Sequence, residues 1–183
     1  MAGEDEGRAR GAPSRLGEGD PFATPEAERR PDRRLRGRLV APVTVFTAGA
    51  GAERAGLTVS SVLVSPGEPP ELVAIIDPLS DLHRLAEESG RLLVHVLRVG
   101  EEKTASFFAG LYPVDPFAEL GHSDTAYGPR LDGAGVVVAA RFSSSQPAGF
   151  ENLLRAEIDS IELPPGSESP LSWYRGRYRR LES

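Results

Sequence analysis

The segment Gly56–Ser61 (GLTVSS) carries the residue types and spacing that best suit chemistry in this chain. Thr58, Ser60 and Ser61 stand at positions i, i+2 and i+3, at the head of an apolar, β-branched run. Side chains two apart in a strand share a face, so Thr58 and Ser60 would point together, while Ser61 would face the other way or interrupt the strand. Unpaired hydroxyls need partners, which a phosphate or a polar sugar chain would supply. The alternative is that these hydroxyls bond to water or to nearby backbone.

A second hydroxyl, Ser80, lies where the sequence predicts a helix to begin, with Asp77 or Ser80 as its cap. The free N–H groups and the dipole at a helix start favour an anion. The simpler interpretation of Ser80 is a cap with no ligand. Together the two hydroxyl sites indicate a polar, anion-tolerant patch, but they do not name a reaction.

Other chemistries lack the residues that they need. The chain has no cysteine, which excludes disulfides, thiolate zinc sites and cysteine nucleophiles. Its three histidines are widely spaced and no carboxylate cluster is visible, so no metal site is expected. The serine-rich stretches lack the glycines of a nucleophile elbow. Gly49–Gly51 does not match the dinucleotide-binding fingerprint. The histidines are His83, His95 and His122.

The charge distribution bears on possible partners. The chain has a net charge of −6. Residues 1–38 carry 9 arginines and 8 acids, and the remainder carries 12 basic and 19 acidic residues. An acidic body argues against nucleic acid as the main partner. The run 173–180 (WYRGRYRR) interleaves arginines with aromatics, as some nucleic-acid binders do. We expect a packed strand with solvated arginines there; a secondary hypothesis is that one arginine binds a dinucleotide phosphate.

The chain is expected to be one domain with a tail. Residues 1–34 lack apolar periodicity and are predicted to be a disordered N-terminal tail, followed by a domain at 35–183. No apolar run is long enough to cross a membrane, so no membrane partner is expected. The charged amino terminus does not resemble a secretory signal, which leaves the cytoplasm as the expected location.

Seven strands and two helices are predicted, in the order β-β-β-α-β-α-β-β-β. This pattern favours a mainly β fold, a small barrel with helices filling its gaps. The run at 72–76 is expected to be buried on both faces, and residues 109–130 to be loop. One helix starts at Asp77 or Ser80 and stops at Gly90, and the other covers Glu101–Phe108, with Thr104, Ala105 and Phe108 inward. The strands are predicted at Leu39–Thr47, Leu57–Val64, Leu72–Ile76, Leu92–Leu97, Ala134–Phe142, Leu153–Leu163 and Leu171–Tyr178.

Several short motifs, taken in order, resemble those of the flavin reductase-like family, whose fold is the FMN-binding split β-barrel. The resemblance covers roughly residues 35–181 and rests on the order of these motifs along the chain. These motifs are Gly56–Ser61, Pro69-Pro70, Ser80, Ser89-Gly90, Val94–Leu97, Ala105–Ala109, Gly128–Leu131 and Pro170–Tyr178.

The resemblance implies a homodimer that holds FMN, or FAD, near its subunit interface. The strand Thr58, Val59, Ser60 and Ser61 would contact the ribityl phosphate and the ring, Ser80 would bind the phosphate, and Phe108 would lie near the flavin. The implied reaction is hydride transfer from NADH or NADPH to the flavin, which carries the chemistry. Reduced flavin would then pass to an oxygenase component.

Two departures from the family pattern weaken the case for the nicotinamide site. Relatives often have Gly-Asp-His before a late strand, but residues 147–151 here read PAGFE, without histidine. Position 95, often asparagine, is His95, which we expect to be a barrel-wall residue. No catalytic residue is assigned. The alternatives are an FMN-binding module without NAD(P)H turnover and a small interaction protein that has kept only the barrel.

Overall fold

The computed structural model describes residues 30–166 and 169–181, which form twelve strands and four helices. The helices are α1 Pro31–Arg36, α2 Asp81–Ser89, α3 Glu102–Phe108 and α4 Pro116–Glu119. The strands are β1 Ala41–Pro42, β2 Thr44–Ala50, β3 Glu53–Val59, β4 Val62–Ser65, β5 Glu71–Ile76, β6 Arg91–Val96, β7 His122–Thr125, β8 Gly128–Leu131, β9 Val136–Ala148, β10 Glu151–Glu162, β11 Leu171–Tyr174 and β12 Arg177–Arg180.

The largest unit is a curled, antiparallel sheet of seven strands in the order β3-β2-β6-β9-β10-β5-β4. Its two edge strands, β3 and β4, are consecutive in the chain and joined by Ser60 and Ser61. The sheet therefore curls until its edges meet at this connection, and the Ile75 N–H extends the β4–β5 pairing past Val62 by donating to the Ser61 carbonyl at 2.9 Å. The predicted mainly β, split-barrel fold is confirmed.

Strand β2 separates two hydrophobic cores because its side chains alternate between the faces of the sheet. Phe46 faces the core inside the curl, which α2 closes with Leu82 and Leu85. Val45 faces the other core, which α3 closes with Phe108. The predicted helices at 80–90 and 101–108 are confirmed to within one or two residues. Thr104, predicted to face inward, is only half-buried.

Two predicted strands in the first half of the chain differ from the structure. The single strand 57–64 is wrong, because the chain leaves the ladder at Ser60 and Ser61 and resumes as β4. The run at 72–76 is not buried on both faces. In β5, Leu72, Ala74 and Ile76 are buried, whereas the alternate residues are half-exposed on a face that no helix covers.

The second half of the chain holds more regular structure than predicted. Residues 109–130 contain α4 and the β7–β8 hairpin, and Asp115 caps α4 by accepting from the Phe117 N–H at 2.9 Å. The predicted strand 171–178 is instead the β11–β12 hairpin. Its turn residues, Arg175 and Gly176, have φ of 52° and 77°, as a two-residue hairpin turn requires. This hairpin and β1 form a separate sheet in the order β1-β11-β12.

The amino-terminal prediction lies mostly outside the described residues, because 1–29 are not described. The predicted boundary at residue 34 falls within α1, which has no buried residue. Across residues 30–166 and 169–181, no helix is long and apolar enough to cross a membrane.

Candidate functional site

The serine corner, defined by Ser60 and Ser61 where the curled sheet's edges meet, presents two hydroxyls without a partner among the described residues. Ser60 and Ser61 are half-buried, and neither hydroxyl has a hydrogen-bond partner within residues 30–166 and 169–181. Every fully buried side-chain polar atom that the structure describes does have a partner. Both serine hydroxyls therefore reach the surface, where a ligand could bind them.

The two residues before this corner use their polar groups internally. The Thr58 hydroxyl donates to the Ala105 carbonyl at 2.6 Å and so ties α3 to β3. Val59 is buried, and its carbonyl accepts from the Thr44 hydroxyl at 2.6 Å. The structure thus brings all four predicted strand residues together but leaves only Ser60 and Ser61 with hydroxyls free for a ligand.

Phe108 lies behind this strand, in the second core. It is 3% exposed and packs edge-to-face against Phe117, with ring centroids 5.1 Å apart. A Cβ on Gly56 would lie 2.4 Å from the Phe108 ring, so the ring fills the space that glycine leaves open. In this structure Phe108 supports the Gly56–Ser61 strand from the side that faces the core.

Ser80 caps α2, as the sequence predicts. Its hydroxyl accepts from the His83 N–H at 3.2 Å and donates to the Asp77 carbonyl at 2.8 Å. The backbone N–H groups of Asp81 and Leu82, in the first turn, have no acceptor within the described ranges. Ser80 therefore fixes the helix start, and these N–H groups are donors of the kind that can bind an anion.

A chain of polar side chains next to α2 was not anticipated from the sequence. His83 Nε2 lies 2.8 Å from Ser145 Oγ, and the Asn152 amide donates to the same oxygen at 3.0 Å. His83 is 7% exposed, and its ring fixes the first turn of α2 against the β9–β10 hairpin. No local motif marks this chain because its members come from three elements.

The end of β5 connects these groups. The Ile75 N–H bonds to Ser61, Ile76 pairs with Asn152, and β5 then leads into Ser80. The serine corner, the start of α2 and the β9–β10 hairpin consequently border one region of the surface.

The tip of the β9–β10 hairpin lies within residues 147–151, the stretch in which the resemblance led us to expect Gly-Asp-His. Phe150 is 88% exposed, and the Arg30 guanidinium lies 5.8 Å from its ring centroid. The Glu151 carboxylate pairs with Arg36 of α1 at 3.6 Å. The hairpin tip therefore holds an ion pair and an aromatic ring, but no imidazole.

His95 is a wall residue, as expected. Its Nδ1–H donates to the Val45 carbonyl at 3.1 Å, and its Nε2 accepts from the Leu131 N–H at 3.2 Å. Because Nε2 accepts, the ring must be neutral. Burial lowers the pKa of His95 to about 4; the Val45 carbonyl opposes this shift and the nearby Arg130 charge adds to it. The residue joins β6 to β2 and β8 and presents no free nitrogen to a ligand.

The donors at the corner fit a ligand with a phosphate and a polyhydroxyl chain, such as a flavin nucleotide. Hydroxyls suit the polyhydroxyl chain, and free N–H groups at the start of α2 suit the phosphate. The carboxylates here are engaged, because Asp81 pairs with Arg84 at 3.3 Å and Asp77 accepts from the Leu79 N–H at 2.9 Å. Within the described ranges, no group of three His, Cys, Asp or Glu residues could hold a metal.

Comparison with known proteins finds relatives that are named as reductases. The chain is 30% identical to the FMN reductase (NADH) RutF of Variovorax paradoxus over 165 residues, covering 89% of each chain. It is 28% identical to the 4-hydroxyphenylacetate 3-monooxygenase reductase component of Pseudomonas aeruginosa, covering 82% of this chain and 90% of that protein.

Solved structures share the fold. The NADH:FAD oxidoreductase SgcE6 of Streptomyces globisporus, in complex with NAD and FAD fragments, has a TM-score of 0.74 and 25% identity, covering 82% of this chain and 90% of that one. The nitrilotriacetate monooxygenase component B homologue of Mycobacterium thermoresistibile has a TM-score of 0.75 and 24% identity, covering 82% and 85%. The model of the flavin reductase like domain matches residues 36–182, and the chain therefore belongs to that family.

Proposed function

We propose that this protein is an NAD(P)H-dependent flavin reductase that binds FMN, or FAD, at the serine corner. The observation that carries the proposal is the pair of half-buried, unpartnered hydroxyls of Ser60 and Ser61, which border the anion-binding start of α2. Family membership supports the cofactor class, because relatives include an FMN reductase (NADH) and an NADH:FAD oxidoreductase.

The protein's part in this reaction is binding and orientation. Ser60 and Ser61 would hold the ribityl chain, and the N–H groups of Asp81 and Leu82 would hold the phosphate. Ser80 and His83 keep those N–H groups in place through the cap and the bond to Ser145. A bound flavin supplies the hydride-accepting ring, so the chain needs no nucleophile or metal.

A visible spectrum during flavin titration tests the cofactor. Adding FMN, FAD or riboflavin to purified protein should give a shifted flavin band and quenched flavin fluorescence, with FMN and FAD binding more tightly than riboflavin because it lacks a phosphate. No change with any of the three would refute flavin binding and favour an interaction protein.

Steady-state oxidation of NADH and NADPH in the presence of flavin tests the reaction. We expect faster oxidation than in a protein-free control, with one nucleotide preferred. If flavin binds but neither nucleotide is oxidised, the protein is an FMN-binding module without reductase turnover. The observation that favours this second function is the hairpin tip, where Glu151 pairs with Arg36 and no histidine is present.

The proposal includes a homodimer and an oxygenase partner. The outer face of β4, β5 and β10 exposes an apolar patch, defined by Leu63, Val73, Ile75 and Leu153, which a second copy could cover. Relatives named as reductase components of monooxygenases support delivery of reduced flavin to an oxygenase. A cytoplasmic location remains a prediction from the sequence, which cell fractionation would check.

A further inference from the structure

Exposed arginines from both ends of the described chain lie on two elements that contact each other. We define the arginine surface as α1 with its following residues to Arg38, together with the β11–β12 hairpin. These parts are joined where the Arg175 N–H donates to the Gly37 carbonyl at 2.9 Å, and Ala41 of β1 pairs with Trp173 of β11. Six of its arginines have side chains without a partner among the described residues, namely Arg33, Arg34, Arg38, Arg177, Arg179 and Arg180.

The side chains of these six arginines have no ion pair, hydrogen bond or aromatic contact within residues 30–166 and 169–181. Arginines elsewhere behave differently. Arg98 pairs with Glu101 at 3.0 Å, Arg130 pairs with Glu162 at 2.7 Å, and Arg141 pairs with both Glu157 and Asp159 at 2.9 Å. Arg54, Arg84 and Arg155 also have carboxylate partners. Within the described residues, the arginines elsewhere have carboxylate partners, with Arg91 as the exception, whereas on this surface Arg36 alone has one.

Two of the hairpin's three aromatic residues, Trp173 and Tyr178, are packed and not available to stack on bases, and the Arg175 guanidinium lies 5.4 Å from the ring centroid of the third, Tyr174. Trp173 and Tyr178 pack edge-to-face at 4.9 Å, and both are half-buried against the second core. The Tyr178 hydroxyl lies 3.3 Å from the Ser106 hydroxyl on α3. Single-stranded nucleic acid needs open aromatic faces, so the packing disfavours that partner.

A second copy of the chain does not suit the arginine surface either. A two-fold dimer would bring the same patch of both copies together and place arginines opposite arginines. Such like charges repel, whereas an acidic surface would give each guanidinium the carboxylate that it lacks.

We infer that the arginine surface docks an acidic face of a partner protein. The surface is a cationic patch on a chain of net charge −6, so it can orient a partner that the rest of the molecule repels. Carboxylates are planar and accept two parallel N–H bonds from one arginine. Such paired bonds fix the orientation of the partner as well as attracting it. The inference stands whether or not the protein turns over NAD(P)H.

Binding of a dye-labelled poly-L-glutamate peptide, followed by fluorescence anisotropy at physiological salt, tests the inference. One variant replaces the β12 arginines, R177Q/R179Q/R180Q, and another replaces those near α1, R33Q/R34Q/R38Q. Each should weaken binding by about tenfold or more, because cations that meet a polyanion are lost. The control A118E/S123E/S160E changes net charge equally at exposed sites elsewhere and should stay within about twofold, because distant charges are screened.

Other outcomes would overturn the inference. If the control and both arginine variants bind polyglutamate with equal affinity, the arginines do not dock an acidic partner. Their role would then be to protect the edge strand β12 from pairing with other strands. Binding of duplex DNA, or of vesicles of equal parts phosphatidylcholine and phosphatidylglycerol, that is tighter than binding of polyglutamate would indicate a different partner class. A raised KM for NADH or NADPH in R177Q/R179Q/R180Q would assign the surface to the nucleotide. Flavin affinity and thermal melting should match wild type, which separates this test from that of the reductase.

Discussion

At the scale of single residues, the hydroxyls of the Gly56–Ser61 strand and of α2 have different tasks. Thr58 holds α3, and Ser80 holds the start of α2. Ser60 and Ser61 have no such task within the described ranges. The proposed flavin site therefore depends on two hydroxyls and on the backbone N–H groups that Ser80 arranges. Substitutions should distinguish residues that hold the proposed site in shape from residues that bind the flavin directly.

Ser80→Asp and Ser80→Asn form a matched pair for the phosphate. Both side chains cap a helix well, so each variant should melt within a few degrees of wild type. Only Asp places a negative charge at the proposed phosphate position, so it should weaken FMN binding by about tenfold or more relative to Asn. Titration with riboflavin, which has no phosphate, is the control and should not distinguish the variants. Equal FMN affinity for Asp and Asn would show that the phosphate binds elsewhere.

His95 should make the fold sensitive to moderate acid. Its pKa is about 4 in the folded protein and near 6.5 when unfolded. Between these two pH values His95 is protonated in the unfolded chain but neutral in the folded chain. The free energy of unfolding should therefore fall as pH drops from 6.5 to 4. The full effect corresponds to about 3 kcal/mol.

Urea unfolding of the flavin-free protein at several pH values measures this effect. His95→Asn should be less stable at neutral pH, because it cannot replace both hydrogen bonds, and its stability should change less over the same pH window. An equally steep pH dependence in the variant would assign acid sensitivity to carboxylates instead.

At the scale of elements, the serine corner exists because β3 stops at Val59. The break presents Ser60 and Ser61 between two edge strands, and α3 and α2 brace it from either side. Close packing of β3 against α3 requires glycine at position 56, where the Phe108 ring occupies the space of a Cβ. The site strand is thus held by packing from behind.

Gly56→Ala should destabilise the protein by about 1–3 kcal/mol, because Phe108 and Phe117 must move to admit the methyl group. Urea unfolding measures the loss. Gly37→Ala is the control; its nearest neighbour would be at 3.5 Å, and its stability should be close to that of wild type. Adding Phe108→Leu to Gly56→Ala should restore part of the stability, which a strain caused by backbone conformation alone would not allow.

At the scale of the whole molecule, the two exposed faces point to different assemblies. The apolar patch of β4, β5 and β10 can be covered by an identical patch, since apolar surfaces are self-complementary. The arginine surface cannot be covered in the same way, because the arginines of one copy would repel those of the other. We therefore expect a second copy on the first face and an acidic partner on the other.

Leu63→Asp should convert the proposed dimer to a monomer. Leu63 is 74% exposed and opposes Val73 within the apolar patch, so a buried carboxylate would face an apolar surface in a dimer. Light scattering after size exclusion should give twice the mass of the 19.6 kDa chain for wild type and for the control Leu111→Asp, but a single mass for Leu63→Asp. A monomeric wild type would contradict the dimer.

Much of the fold could be predicted because its signals are local. The hydroxyl cap and the glycine stop define α2, and alternation or apolar runs define most strands. Two turns were not predicted from the sequence. Arg175-Gly176 reverses the chain inside a predicted strand, and Ser60-Ser61 interrupts another. In both places the β-rich composition on either side hid the turn, because strand propensity does not record where the chain bends.

The sequence by itself determined the mainly β class, the capped helix and the presence of hydroxyls suited to a phosphate ligand, since these follow from residue type and near neighbours. Only the tertiary structure decided which hydroxyls lack partners among the described residues, that Phe108 lies behind the Gly56–Ser61 strand, and that His83, Ser145 and Asn152 form one chain. It also decided which arginines lack partners among the described residues. The physical reason is that hydrogen bonds and ion pairs form between groups far apart in sequence, and only folding brings those groups within reach.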